Sequence, residues 1–211
     1  PKPATGAQEN QAQSAWEMLS GLPLIKKVLI AFGLTNFFLT PILVVLPLYV
    51  NKTLHGQASA LGSLEAGVWL GLLGGTLAAK WVRAGDTLRL ASICMAILGL
   101  SLGLPGVVVH ERLLFCSLFV AGAALGVNNV KFLALFQEKV PADFKGRFFA
   151  LMQAVLSFSY PAAYLVFGVL ADWVDPPKVC LLQGLGIIIL AAYFHELSRG
   201  QKTAAPVEPI A

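Results

Sequence analysis

Apolar and polar residues follow one another along this chain in long blocks, not in the short periods of a soluble fold. Six apolar blocks are separated by short polar segments. A helix rises about 1.5 Å per residue, so about 20 apolar residues cross the roughly 30 Å hydrocarbon core of a bilayer. The pattern therefore predicts six membrane-spanning helices, at residues 28–50, 61–79, 90–109, 113–137, 148–171 and 179–197.

Polar segments flank the predicted spans at both ends of the chain. Residues 1–13 are rich in Ala, Gln and Pro and show no apolar period, which predicts a disordered linker. Residues 14–199 form the predicted transmembrane domain, and residues 200–211 a flexible tail. Within the first span, Pro41 and Pro47 remove backbone donors that lipid cannot replace. A kink is expected there, at a place where neighbouring groups or water satisfy the freed carbonyls.

The composition excludes a soluble domain. Hydrophobic residues make up 57% of the chain and charged residues 12%, and the mean hydropathy is +0.74. A soluble protein of this composition would expose more apolar surface than water tolerates. The net charge of +4 is explained by where the basic residues lie. We therefore expect the lipid bilayer as a partner and no nucleic acid.

Basic residues are concentrated at one end of the predicted bundle. Cytoplasmic loops of membrane proteins carry the excess of Lys and Arg, which predicts that both termini are cytoplasmic. Eleven of the 15 basic residues lie on that side, namely Lys2, Lys26, Lys27, Lys80, Arg83, Arg89, Lys139, Lys145, Arg147, Arg199 and Lys202.

The polar insert at residues 137–147 joins the fourth and fifth spans. Pro141 disfavours a helical conformation at Val140 and fits the first turn of a new short segment. Gly146 is expected to permit a tight backbone approach before the next helix, and Arg147 to lie in the same basic cluster. The two flanking spans are therefore predicted to form a hairpin.

A family resemblance rests on this insert and its neighbours. Residues 134–153 (ALFQEKVPADFKGRFFALMQ) and 167–172 (FGVLAD) resemble the tenth and eleventh helices of major facilitator superfamily transporters. Residues 15–19 (AWEML), 36–38 (NFF) and 46–49 (LPLY) are similar to the entry into that family's seventh helix. The most similar branch is that of the drug–proton antiporters, which includes macrolide and enterobactin exporters.

The resemblance implies the C-terminal half of a twelve-helix transporter. The expected partners are an N-terminal six-helix half, a small amphipathic substrate and protons, in a bacterial inner membrane. One motif departs from the family pattern: residues 75–83 (GTLAAKWVR) have Ala79 and Val82 where the family's cytoplasmic loop carries Asp and Gly. A latch role for this loop is therefore in doubt, although Lys80 and Arg83 remain able to pair with acids or lipid headgroups.

Two charged residues lie inside predicted spans. A charge facing lipid costs on the order of 3 kcal/mol at mid-bilayer. Glu65 is therefore a candidate for proton coupling and Lys131 for the substrate path, although an interfacial Glu65 and a snorkelling Lys131 remain open. Further path candidates are Asn36, Asn128, Gln153 and Tyr160, with interhelical hydrogen bonding as the alternative for each.

Glycine recurs every four residues along three spans, at Gly67, Gly71 and Gly75, at Gly99 and Gly103, and at Gly122 and Gly126. Small residues on one stripe let helix backbones approach closely, so packing within the bundle is predicted.

Enzyme functions find no support in the residue inventory. The three cysteines and three histidines are dispersed, without metal-site spacing, and no phosphate-binding loop is present in the sequence. No cofactor or metal is expected. Two alternatives to a half-transporter stay open: a self-sufficient six-helix module that dimerises, and a membrane scaffold subunit without a transport cycle.

Overall fold

The computed structural model describes residues 19–82 and 85–203, and these residues form an all-helical bundle. The predicted linker 1–13, Arg83 and residues 204–211 of the predicted tail lie outside them. The described helices are α1 Pro23–Leu39, α2 Ile42–Lys52, α3 Ala58–Ala78, α4 Thr87–Gly103, α5 Glu111–Lys139, α6 Lys145–Trp173 and α7 Pro176–Thr203. Short 3₁₀ turns follow α4 at Leu104–Gly106 and precede α6 at Ala142–Phe144.

Six spans are formed by these helices. The first is α1 together with α2, and each of α3 to α7 supplies one more, all long and apolar enough to cross a membrane. Every predicted span overlaps one of them, so the prediction of an all-α protein with six spans is confirmed. The last helix continues to Thr203, so residues 200–203, predicted to begin a flexible tail, are helical.

The first span breaks at Pro41, as its sequence predicts. The backbone N–H of Thr40 still donates to Asn36 O (2.9 Å), but the next helical bonds are shifted, and Leu43 N donates to Thr40 O (3.2 Å). Pro41 has no N–H and its ring crowds the preceding turn, so the ladder cannot run through it. The predicted kink is confirmed, and it divides the span into α1 and α2.

The helices form two layers. A front row has the order α3, α5, α1, α6, and α4 and α7 lie behind it: α3 packs on α5, α1 on α6, and α4 on both α5 and α7. The ring of Phe32 in α1 meets that of Phe132 in α5 edge to face, with centroids 5.7 Å apart. Helices α5 and α1, the two in the centre of the row, thus contact each other through these aromatic rings.

Glycine makes the contact between α3 and α5 very close. A Cβ on Gly71 would clash with the carbonyl oxygen of Phe119, and a Cβ on Gly122 would clash with the carbonyl oxygen of Val68. In the back layer, a Cβ on Gly99 would lie 2.8 Å from Gly184 O. The prediction that the glycine stripes serve packing within the bundle is confirmed, whereas their partner Gly184 was not singled out in the sequence.

The connection between α5 and α6 is only partly as predicted. Helix α5 ends at Lys139, Val140 is extended (φ −85°, ψ 126°), and Pro141 precedes the 3₁₀ turn, in agreement with the sequence. Gly146 and Arg147, however, already belong to α6. A Cβ on Gly146 would meet nothing within 4 Å, so the prediction of a tight backbone approach there is wrong.

Gly71→Ala is expected to destabilise the protein, and Gly74→Ala is the matched control. Alanine normally favours a helix over glycine by up to about 1 kcal/mol. At Gly71 the new methyl meets the Phe119 backbone, which cannot move aside, so a net loss of about 1–3 kcal/mol is expected. At Gly74 it meets nothing within 4 Å. Thermal unfolding in detergent should show a lower Tm for Gly71→Ala only, and equal Tm values would contradict the packing.

Candidate functional site

A polar stripe runs along the exposed surface of α6. Its members recur at intervals of three or four residues, so they share one face of the helix. They are the exposed residues Gln153, Ser157, Tyr160 and Tyr164. Polar side chains inside a span are costly against hydrocarbon, which indicates that this face meets water or protein and not lipid.

The opposite side of the α1–α6 pair is an apolar groove of about 570 Å³. Across the contact itself, Ser159 Oγ donates to Val155 O (2.8 Å) and Gly33 O (3.3 Å), so its hydroxyl is satisfied. The groove offers hydrocarbon surface and nothing that would bind a charged group. Its lining consists of Leu29, Ile30, Gly33, Leu34, Phe37, Ala154, Val155, Phe158, Ser159 and Ala162.

Asn36 of α1 lies on the polar side of this pair. At about 100° per residue it is turned about 120° from Ile30 and about 160° from Leu34, the two exposed groove residues of α1. By the same measure, Tyr160 is turned about 160° from Phe158 on α6. Asn36 is half-buried, and its Nδ2 donates to Phe32 O (2.9 Å). The structure therefore brings the predicted candidates Asn36, Gln153 and Tyr160 to one face.

Asn129 of α5 faces the gap between α5's two neighbours in the front row. Its direction lies midway between Gly126, which contacts α3, and Phe132, which contacts α1, because each step of three residues turns the helix by about 60°. Asn129 is exposed. Asn129 and Tyr164 extend the polar face beyond the five path candidates. In the sequence, both could have been identified because polar residues recur there every three or four positions.

Asn128 is placed differently from its neighbour. It is 2% exposed, and neither its Nδ2 nor its Oδ1 has a hydrogen-bond partner within the described part of the chain. It shares the inward face of α5 with the buried residues Ala121, Ala124 and Leu135. A place for Asn128 on the substrate path remains a prediction, since this conformation closes it off from every surface.

Lys131 and Glu65 are each half-buried. Lys131 shares its side of α5 with Val120 and Ala134, both exposed, and is turned about 160° from Asn129. Glu65 lies at the edge of the exposed face of α3, one turn before Trp69, which is 56% exposed. In the ranges 19–82 and 85–203 no ion pair involves either residue. The structure thus separates Lys131 from the polar face, and Glu65 lies on another helix, α3.

The basic end of the bundle carries the predicted loop residues. Lys80 is exposed, and its Nζ lies 4.1 Å from the ring centroid of Trp81, a cation–π contact. Ala79, which replaces the family's Asp, is fully buried. Arg147 lies over the ring of Phe144 at 5.9 Å. At this end of the bundle both cations therefore lie against aromatic rings.

Asp86 is a residue of this end that the sequence reasoning missed. Its carboxylate caps α4 by accepting hydrogen bonds from Leu88 N (2.9 Å) and Arg89 N (3.1 Å). It also accepts a short hydrogen bond from the hydroxyl of Ser198 in α7. An Asp directly before an apolar helical block is a usual N-cap signal and would have identified it.

Six helices long and apolar enough to cross a bilayer define an integral membrane protein. The match to the model of the Major Facilitator Superfamily covers residues 1–164. The chain belongs to this family, whose members are transporters and not enzymes.

Similar proteins point to the same class. The chain is 33% identical over 104 residues to the uncharacterized MFS-type transporter YfiS of Bacillus subtilis, an alignment covering 44% of this chain and 25% of YfiS. It is 25% identical over 187 residues to macrolide efflux protein A of Streptococcus pyogenes, covering 83% of this chain and 45% of that protein. The chain therefore spans less than half the length of these relatives. No solved structure matches it.

Cysteine labelling tests which face of α6 is accessible to water. Ser157 and Phe158 are adjacent and both exposed, but they point to the polar face and the groove respectively. In a Cys116→Ser background, which removes the exposed native thiol, Ser157→Cys should react with a charged thiol reagent roughly tenfold faster than Phe158→Cys, because the reactive thiolate forms in water. The measurement is made on the full protein in membranes. Faster labelling of Phe158→Cys would reverse the assignment of the two sides.

Proposed function

We propose that this chain is the C-terminal half of a secondary exporter that moves a small amphipathic compound out of the cell in exchange for protons. The observation that carries the proposal is the polar face formed by Asn36, Asn129 and the α6 stripe, opposite an apolar groove. In transporters of this architecture the substrate lies between two six-helix halves near the bilayer midplane. The face supplies one wall of such a site.

The relatives support the size and the substrate class. Macrolide efflux protein A is about twice as long as the region it shares with this chain, which fits one half of a two-half transporter. The name of that protein assigns macrolide efflux to it. An amphipathic compound suits the amide, hydroxyl and phenol groups of the polar face here, which bind without fixing a charge.

The least buried spans indicate where the other half docks. In α3 and in the span that contains α6, only 22% of the most apolar stretch of residues is buried, against 44–50% in the other spans. These two helices end the front row on either side. We infer that the N-terminal six-helix half packs against both and leaves the polar centre of the row open to substrate.

The basic end is assigned to the cytoplasm in this proposal. The loops there include Lys80, Lys145 and Arg147, and the excess of such residues marks the cytoplasmic side. The bacterial origin of the similar proteins supports a bacterial inner membrane. Both termini then lie inside the cell.

Reconstitution tests the half-transporter directly. The purified chain in proteoliposomes should insert but not transport, because one wall cannot form a closed path, and a proton gradient should drive no movement of a fluorescent dye. Co-expression with an upstream six-helix half should restore movement. Robust transport by the chain alone would contradict the proposal and favour the self-sufficient dimeric module. No transport in either preparation would favour the scaffold subunit.

Glu65→Gln tests the proposed proton coupling. An acid that alternates between wet and apolar surroundings binds and releases protons, and Gln removes this ability while keeping the shape. In the assembled transporter we expect proton-driven export to fall at least tenfold, on the order of 1.4 kcal/mol, with insertion unchanged. Glu111→Gln, at an exposed acid at the start of α5, is the matched control and should transport normally. Normal coupled export by Glu65→Gln would make Glu65 an interfacial acid.

A further inference from the structure

The break at Pro41 leaves backbone carbonyls without their helical donors. In a continuous helix the carbonyls of Phe37, Phe38 and Leu39 would accept from residues 41, 42 and 43. Pro41 has no N–H, Leu43 N donates to Thr40 O, and no backbone bond joins Ile42 to Phe38 in the described part of the chain. An unsatisfied carbonyl within a bilayer costs several kcal/mol, so each of these groups needs another partner.

Phe38 finds its partner on α7. The Nε2 of Gln183 donates to Phe38 O over 3.0 Å, across 145 residues of sequence. Gln183 is fully buried, with 0% exposure, although it lies in an otherwise apolar stretch of α7, residues 179–192. Nearby, a Cβ on Gly186 would lie 2.5 Å from the ring of Phe38. The close approach of α7 to α1 at this level is what lets the amide reach the carbonyl.

We propose that Gln183 is a positioning residue that holds the first span in its broken conformation. Its hydrogen bond replaces the one that Ile42 N would donate if the span were a continuous helix. The bond therefore stabilises the bent span more than the straight one. Without the donor Phe38 O is left unsatisfied, so the segment around Pro41 should open about fivefold to tenfold more often, the effect of one buried hydrogen bond.

The hydrogen bond from Gln183 to Phe38 O is called the clamp below, and it is a weak fastening for a buried amide. The Oε1 of Gln183 is buried and has no partner among the described residues, so a single bond holds the amide in place. Beyond the break, α2 is fixed separately, because Tyr49 OH donates to Pro105 O over 2.7 Å. Release of Gln183 thus removes a hydrogen bond that ties α1, which carries Asn36, to α7 next to the break, while the anchor of α2 stays in place. This role goes beyond the proposed transport, and its test requires none.

A double-mutant cycle of Gln183→Met with Pro41→Ala tests the clamp. Met has the length of Gln but no donor, whereas Ala at position 41 restores the missing N–H and removes the ring clash. Hydrogen–deuterium exchange of the peptide 36–45 in the full chain should be about fivefold to tenfold faster in Gln183→Met. In the Pro41→Ala background the same substitution should have little further effect, because Phe38 O regains Ile42 N.

Ser117→Ala is the matched control. It removes another hydrogen bond between a side chain and a backbone carbonyl, Ser117 Oγ to Ser101 O (2.6 Å), but away from the break, so exchange at 36–45 should not change. Additive effects of the two substitutions, or equal acceleration in all spans, would show that Gln183 is only a packing residue. If Gln183→Met does not fold alone, folding of Gln183→Met with Pro41→Ala supports the clamp, and failure in both backgrounds overturns it.

Discussion

The hydrocarbon core offers no water to a backbone N–H or C=O, and this constraint governs the whole structure. It requires helices for every span, and it also determines how the helices meet. Several serine hydroxyls in the spans donate to main-chain carbonyls, as Ser92 Oγ does to Ala191 O (2.8 Å) and Ser117 Oγ to Ser101 O (2.6 Å). Where Pro41 breaks a helix, Gln183 compensates one freed carbonyl. Polar side chains inside the bundle therefore serve mostly the backbone, and those without such a partner stand out.

The packing pattern is symmetric under exchange of the first three spans with the last three. The contact of α3 with α5 corresponds to that of α6 with α1, and α4 with α5 corresponds to α7 with the first span. Internal repeats of three helices are known in this architecture. The close fit is not repeated, however: five glycines seal α3 against α5, while only Gly33 lies between α1 and α6 and a groove remains. The α1–α6 contact is therefore looser than the α3–α5 contact.

The sequence predicted what depends on single helices and missed what depends on their neighbours. Hydropathy located all six spans, and Pro41 located the kink, because each reflects local chemistry. The rotation of each helix about its axis was harder to predict. Asn128 and Asn129 are adjacent and chemically identical, yet one is buried and the other exposed. Gly146 looked like a contact glycine but meets nothing, since a spacing pattern does not reveal whether another helix is present.

The two sides of the α1–α6 pair face different surroundings for energetic reasons. Lipid solvates Ile30, Leu34 and Phe158 well, so the groove is stable where it is. Gln153, Ser157 and Tyr160 would each expose hydrogen-bonding atoms to hydrocarbon, and those atoms have no partner among the described residues that would compensate them. A helix with both faces open and only one of them apolar is therefore stable in a membrane only when its polar face meets water or another protein. In the transporter that we propose, a second six-helix half and the water-filled path between the halves meet this requirement.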